Sequence, residues 1–129
     1  MSGRRDEYEE ETLVHSTFTW GRSGTTPVNS FLYSESGTSV AVGIRIPLTD
    51  ATLEAVSVAT SIAGTYNLEV YEYDGTTRTL ITTIVVTAVR GVTVITASLA
   101  LTTGRELQLK VVSGTAKNIQ ASCIIKGTL

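Results

Sequence analysis

Residues 65–86 read TYNLEVYEYDGTTRTLITTIVV, the clearest hairpin pattern in the chain. Period-two alternation predicts half-buried strands, and the central Asp74-Gly75 pair supplies the left-handed backbone that a tight turn requires. The stretch therefore predicts two antiparallel strands joined by a short turn. The apolar positions are Tyr66, Leu68 and Val70 before the turn and Leu80, Ile84 and Val86 after it.

Strand-like runs precede this hairpin. The first, residues 13–20, is expected to end at a glycine turn around 21–24, and the second follows Pro27. A third run ends at Pro47. A fourth, residues 53–62, contains helix-forming residues, but the β-branched residues share one parity, which favours a strand. The core-facing positions are Val14, Phe18 and Trp20 in the first run, Val40, Val42, Ile44 and Ile46 in the third, and Val56, Val58 and Ile62 in the fourth.

Further strands are predicted after the hairpin. Gly91 separates a run at 92–99, and the runs 107–114 and 118–127 are expected to pair with each other across Gly114. Short strands at this spacing are typical of sandwiches and barrels, and their apolar faces must be buried between two layers. The sequence thus predicts an all-β, antiparallel two-sheet β-sandwich, jelly-roll-like, with about eight strands.

The N-terminus differs in composition from the rest of the chain. Residues 1–11 carry five acidic side chains against Arg4 and Arg5, a net charge of −3, with too little apolar surface to pack. We interpret 1–11 as a charged flexible segment and 12–129 as a single β-sandwich domain. The candidate residues for docking on a partner are Glu7, Tyr8, Glu9, Glu10 and Glu11.

Composition narrows the classes of function. Charged residues make up 17% of the chain and its net charge is −2, so no basic surface for nucleic acid is indicated. No apolar stretch is long enough to span a bilayer, and the N-terminus lacks a secretory pattern. The sequence therefore predicts no nucleic-acid partner and no membrane partner. It also predicts that the protein is synthesised in the cytoplasm.

Few residues could carry catalysis. A nucleophile needs a base within reach, and the one histidine, His15, lies in the first predicted strand. As a general base it would need Asp50 or Glu54 beside it; the simpler interpretation is an outward strand residue. Cys123 alternates with apolar residues and is expected to be a small buried hydrophobe. The sequence therefore predicts no enzyme and no catalytic residue.

Metal and cofactor patterns are likewise missing from the sequence. Structural zinc needs four cysteine or histidine ligands, and the chain has two such residues in all. Glu69, Glu72 and Asp74 are close together, but the surface of a hairpin explains them without an ion. The sequence predicts no metal and no cofactor.

Aromatic residues offer one possible binding surface. Tyr71 and Tyr73 have the parity opposite to Leu68 and Val70, so they are expected to point outward. Together with the other aromatic residues they could form a platform for a glycan or an interface with a receptor. The other members of this set are Trp20, Phe31, Tyr33 and Tyr66. The alternative is that tyrosine is present there because it favours a strand.

Residues 99–127, LALTTGRELQLKVVSGTAKNIQASCIIKG, resemble the last strands of small jelly-roll structural modules in tailed-bacteriophage virions, of decoration, head-fibre or tail-fibre-tip type. The sequence pattern of residues 99–127 is also similar to that of the tumour-necrosis-factor and C1q-like jelly rolls. The resemblance implies a trimeric, non-enzymatic virion protein, synthesised in the host cytoplasm, whose partners are its own copies and a phage capsid or tail protein. The alternative is a carbohydrate- or receptor-binding module. In the matching pattern Leu101 leads to the Gly104 turn, Leu107, Leu109 and Val111 face the core, and Ser113-Gly114 turns into the last strand.

Overall fold

The computed structural model describes residues 13–34 and 42–129, and these residues form an all-β fold. Every strand pairing among them is antiparallel. No helix in this part of the chain is both long and apolar enough to cross a membrane. The strands are β1 Leu13–Thr26, β2 Ser30–Phe31, β3 Tyr33–Ser34, β4 Gly43–Arg45, β5 Thr49–Tyr73, β6 Arg78–Ala100, β7 Glu106–Val112 and β8 Ala116–Thr128.

The long β5–β6 hairpin belongs to both layers of the sandwich. Residues 49–59 of β5 pair with β8, whereas residues 67–73 pair with β7 along the same edge. The other edge of β5 pairs with β6 in both halves, with a break in register between Ala59 and Gly64. The first sheet therefore has the order β6–β5–β8–β1–β3, and the second has β6–β5–β7 with β2 and β4 beyond β7.

The opposite side of the sandwich is closed by a short crossing. β2 pairs with β7 in the second sheet, and β3, which follows after one residue, pairs with β1 in the first sheet. Leu32, between them, is completely buried and donates its backbone N–H to Leu109 O at 2.9 Å. The two sheets are thus joined on both sides, and the result is a jelly-roll-like sandwich that nearly closes into a barrel.

One apolar core fills the space between the sheets. Its members alternate along each strand with outward residues, as stiff β-branched side chains on pleated strands do. Several core predictions are confirmed: Trp20 and Ile46 are buried, Val14, Phe18 and Ile44 pack against the core, and Leu107, Leu109, Val111 and Cys123 are fully buried. Val42 is half-buried, and Val40 lies outside the described residues.

The predicted hairpin is confirmed, but two apolar residues on it face outward. Leu80 is 49% exposed because the register passes from Val70↔Thr82 to Tyr71↔Leu80, which leaves Ile81 as an extra residue. Such a bulge reverses the facing of residues on one side of it relative to those on the other, so Leu80 lies opposite the outward Tyr71. Ile62 was expected beside Val56 and Val58 but is 57% exposed, because it lies in the bend between the sheets.

Some strand boundaries were also predicted wrongly. β1 runs on to Thr26 through a register shift between Arg22 and Thr25, so the glycines at 21 and 24 do not end it. Gly91 does not separate two strands either, since β6 is continuous from Arg78 to Ala100. Residues 13–34 and 42–129 contain eight strands, the number predicted, although their bounds differ from the predicted ones.

The last two strands do not pair with each other. β7 lies beside β5, β2 and β4, whereas β8 lies between β1 and β5. The connection at Ser113 and Gly114, both with positive φ, crosses from one sheet to the other instead of forming a hairpin. A Cβ at Gly114 would lie 2.1 Å from Thr65 O, so this crossing requires glycine.

Candidate functional site

His15 and Glu54 are near enough for a weak electrostatic interaction, but the residues considered for catalysis are not hydrogen-bonded to one another in the described part of the chain. His15 is an exposed residue of β1 opposite Lys126, and no hydrogen bond joins it to Asp50 or Glu54 within the described residues. Glu54 accepts hydrogen bonds from Thr52 at 2.6 Å and Ser98 at 3.2 Å, and these bonds lower its pKa. Cys123 is buried in the core, where loss of hydration raises its pKa to about 12.

Trp20 does not belong to an outward platform. Its side chain is 1% exposed, and its indole Nε1 donates a hydrogen bond to Val42 O at 3.1 Å. The physical reason is parity: Trp20 shares the face of β1 that carries Val14 and Phe18, and that face covers the core. The interpretation of Trp20 as a surface binding residue is wrong.

Tyr71 and Tyr73 do face outward, on the second sheet, and both are half-buried. The Tyr71 hydroxyl donates a hydrogen bond to Glu69 Oε1. This bond raises the pKa of Tyr71, and partial burial raises it further. The Tyr73 hydroxyl donates to Gly75 O at 2.9 Å, which ties the ring to the hairpin turn. Both rings thus lie on the face opposite to Leu68 and Val70, as their parity predicts.

Cations and a third ring surround these tyrosines. The Arg78 guanidinium lies 4.5 Å from the centre of the Tyr73 ring and 4.7 Å from that of Phe31. The Phe31 ring is tilted against Tyr71 with ring centres 6.4 Å apart, and Lys110 Nζ lies 5.4 Å from its centre. We call Phe31, Tyr71, Tyr73, Arg78 and Lys110 the cation–aromatic cluster.

The cluster is already engaged in contacts within the chain. Arg78 also donates from Nε to Gln108 Oε1 at 2.7 Å, so its guanidinium is fixed between the two rings. A sugar would have to stack on ring faces that Arg78 now covers. Phe31 belongs to the predicted aromatic set, whereas Arg78 and Lys110 were missed, because they lie on β6 and β7 and only the register brings them beside the rings.

A buried acidic residue lies beneath this surface. Glu72 was assigned to the hairpin surface, but it is 4% exposed because it shares the inward parity of Leu68 and Val70. Its carboxylate accepts from Thr102 N at 2.6 Å and from Arg105 Nη1 at 3.1 Å. Its role is structural, since it holds the turn between β6 and β7 against the second sheet.

The outer face of the first sheet carries a shallow groove of about 540 Å³. Its floor is a row of hydroxyl side chains in register across four neighbouring strands: Thr93, Ser57, Ser122 and Thr19. The Ser57 and Thr93 hydroxyls are 2.9 Å apart, close enough for a hydrogen bond. The groove is therefore neutral; its lining is mostly small side chains with Gln120, and the one aromatic residue in it, Trp20, is buried.

The edge strand β6 carries most of the large hydrophobic residues that are exposed in the described part of the chain. In the described part of the chain, β6 pairs with β5 alone, so its outer edge has no strand beside it. Only Arg78 and Arg90 are charged along this strand. Of the nine large hydrophobic residues that are exposed among the described residues, five lie on β6: Leu80, Val85, Val89, Val94 and Ile95.

Comparisons with known proteins give a weak likeness to a solved structure. No protein-family model and no curated protein matches the chain. The chain is similar, over 92% of its length, to a chain in the structure of the infectious bursal disease virus Gx strain, with 15% sequence identity and a TM-score of 0.40. It spans 33% of that chain. A likeness at this level carries no argument about function, and the resemblance to bacteriophage modules stays a prediction.

The described residues also hold no cluster of three or more histidine, cysteine, aspartate or glutamate side chains suited to a metal ion. Their distinctive surfaces are the cation–aromatic cluster, the groove and the β6 edge. The five docking candidates at 7–11 lie outside the described residues.

Proposed function

We propose that the chain is a non-enzymatic virion structural protein of a tailed phage, a decoration or fibre-like subunit that self-assembles and docks on the particle. The observation that supports self-assembly is the β6 edge, a long strand with exposed apolar side chains and two charges. Monomeric proteins usually protect such an edge with lysine, proline or a covering segment. A second chain of the same kind would cover it.

The virion assignment is supported by the resemblance of residues 99–127 to phage modules, which also implies a trimer. Three of the residues that carry it, Leu107, Leu109 and Val111, are core residues of β7, which is consistent with a packed jelly roll. Mass spectrometry of virions released by the phage that encodes the chain tests this assignment. Absence of the protein from purified virions would refute it.

Docking is assigned to the acidic segment 1–11. Its net charge of −3 would be attracted to a basic surface on a capsid or tail protein, and this attraction weakens as salt screens it. The test mixes undecorated particles with the full chain and with a chain that lacks residues 1–11, over a salt series. A matched control replaces Glu9, Glu10 and Glu11 by glutamine. Equal, salt-insensitive cosedimentation of all three forms would mean that the sandwich makes the contact.

A second candidate function is a glycan- or receptor-binding module. One observation favours it: Tyr71 and Tyr73 form part of a cluster of rings and cations on the outer face of the second sheet. Glycan-array binding that is lost in Tyr73→Ala and retained in Tyr33→Ala would support this function. Capsid cosedimentation without glycan binding would support the structural role.

A further inference from the structure

Irregularities divide the β6 edge into short regular runs. Residues 91–95 pair with 59–55 of β5 without interruption, and residues 82–86 pair with 70–66. Register shifts separate these runs, and Ala88 and Ser98, near the shifts, have φ angles of 51°. Bulges discourage pairing where they occur, so an incoming strand would find regular backbone only within a run.

The run 91–95 has the most apolar surface left to bury. Ile95 is 78% exposed and Val94 is 36% exposed. In the run 82–86, by contrast, Ile84 and Val86 are already within the core, and Val85 is the exposed apolar residue. The run 91–95 also contains no charged residue, so no charge would be placed inside a new ladder.

This run is complementary to itself. We infer that residues 91–95 pair antiparallel with the same run of a second copy, across a twofold axis at Thr93. In this register Thr93 lies opposite Thr93 of the other copy, Val92 opposite Val94, and Ile95 opposite Gly91, so that residues on the same face of the sheet meet. Thr–Thr and Val–Val pairs are favourable across strands, and Ile95 faces a residue without a side chain.

The register also separates the charges. Arg90 would lie opposite Thr96 of the second copy, whereas pairing centred on residue 90 would place the two arginines opposite each other. Like charges directly opposite on a ladder are destabilising. The strands β1, β8, β5 and β6 of one copy would then join the same four strands of the second copy in one continuous eight-stranded sheet. The row of hydroxyl side chains would continue from Thr93 of one copy to Thr93 of the other.

The inference rests on the self-assembly in the proposed function and names the surface that performs it. A twofold contact is isologous and gives a dimer on its own; within a trimeric assembly it would join two trimers. An unpaired strand edge needs a partner that supplies backbone donors and acceptors in register, and a second β6 edge supplies both.

Cross-linking through an introduced cysteine tests the register. Opposite residues in a ladder have Cβ atoms about 5 Å apart, so Thr93→Cys should give a covalent dimer with a short bifunctional thiol cross-linker. Thr87→Cys is the control, because the two copies of residue 87 would be about 40 Å apart at about 3.4 Å per residue. The native Cys123 is buried and should stay silent in both variants. No dimer from Thr93→Cys, or equal dimer from both variants, would overturn the inference.

A charge on the twofold axis gives a second readout. Thr93→Lys would place two ammonium groups opposite each other, so the assembly mass from light scattering should halve, while Thr87→Lys should leave it unchanged. Both variants are checked for sheet content by circular dichroism. An assembly mass that is the same for Thr93→Lys and the wild type would overturn the pairing. Because virion incorporation is scored separately by mass spectrometry, failure of the proposed function is distinguishable from failure of this contact.

Discussion

Replacing Glu72 tests how the turn between β6 and β7 is held to the second sheet. The Glu72 side chain is 5% exposed and its Arg105 partner is 40% exposed. In Glu72→Ala, the Thr102 N–H loses its acceptor and Arg105 can turn to water. Hydrogen bonds to charged groups contribute about 1.5–3 kcal/mol each. The bond from Arg105 to Glu72 contributes the lower value or less, because the arginine is partly exposed to solvent. We expect the free energy of unfolding to fall by about 2–4 kcal/mol.

The conservative variant separates the two bonds. Glu72→Gln keeps an amide oxygen for Thr102 N–H and loses the charge on the Arg105 pair, so it should cost about 1 kcal/mol. Urea unfolding, followed by the fluorescence of the single, buried Trp20, measures the loss of unfolding free energy in both Glu72 variants. All proteins are compared at one fixed concentration. Glu69→Ala, on the outer face of the same strand, is the control. The reasoning is refuted if Glu72→Ala costs no more than Glu69→Ala, or if glutamine costs as much as alanine.

Three further predictions concern the core and the strand contacts. Cys123 should not react with a thiol reagent at pH 8 until the protein unfolds, because burial raises its pKa to about 12; rapid labelling of the native protein would contradict this. Gly91→Ala should destabilise the protein by about 1–3 kcal/mol in the same urea assay, since a Cβ there would lie 2.7 Å from Val58 O; an unchanged midpoint would show that β5 and β6 can separate without cost. Tyr66→Phe should leave stability unchanged or raise it by up to about 1 kcal/mol, because the buried Tyr66 hydroxyl makes no hydrogen bond of good geometry among the described residues. The neighbouring Thr60 hydroxyl donates to Ile62 O and Arg90 O instead, and a loss of stability would mean that it also accepts from Tyr66.

The sequence predicted the fold class because its information is local. Period-two alternation around Asp74-Gly75 and within β7 specifies which side chains face the core, and parity placed Trp20 on the buried face with Val14 and Phe18. The same parity contradicts a surface role for Trp20, so its assignment to a binding platform ignored information already in the pattern. Glu72 is a similar case, since its parity is that of Leu68 and Val70.

Pairing between distant strands could not be predicted in this way. β7 and β8 are consecutive and have a glycine between them, which favours a hairpin, yet they lie in different sheets. The bond from Arg78 to Gln108 and the ring contact of Arg78 with Phe31 likewise join β6 to β7 and β2. Such contacts depend on strand order, about which a single sequence carries little local information.

The irregularities of the β5–β6 hairpin explain both the shape of the sandwich and its exposed apolar residues. Ile84 and Leu80 have one parity, but the extra residue Ile81 turns Leu80 outward. Leu99 and Ile95 also share a parity, but Leu99 packs against the core and Ile95 is 78% exposed. A register shift lies between the pairs Leu53↔Leu99 and Ala55↔Ile95, and at the same place β5 shifts by one residue against β8. A hairpin without these shifts would bury both side chains on one flat face. Because the hairpin must serve two sheets, it exposes apolar residues along its free edge, where a second chain could cover them.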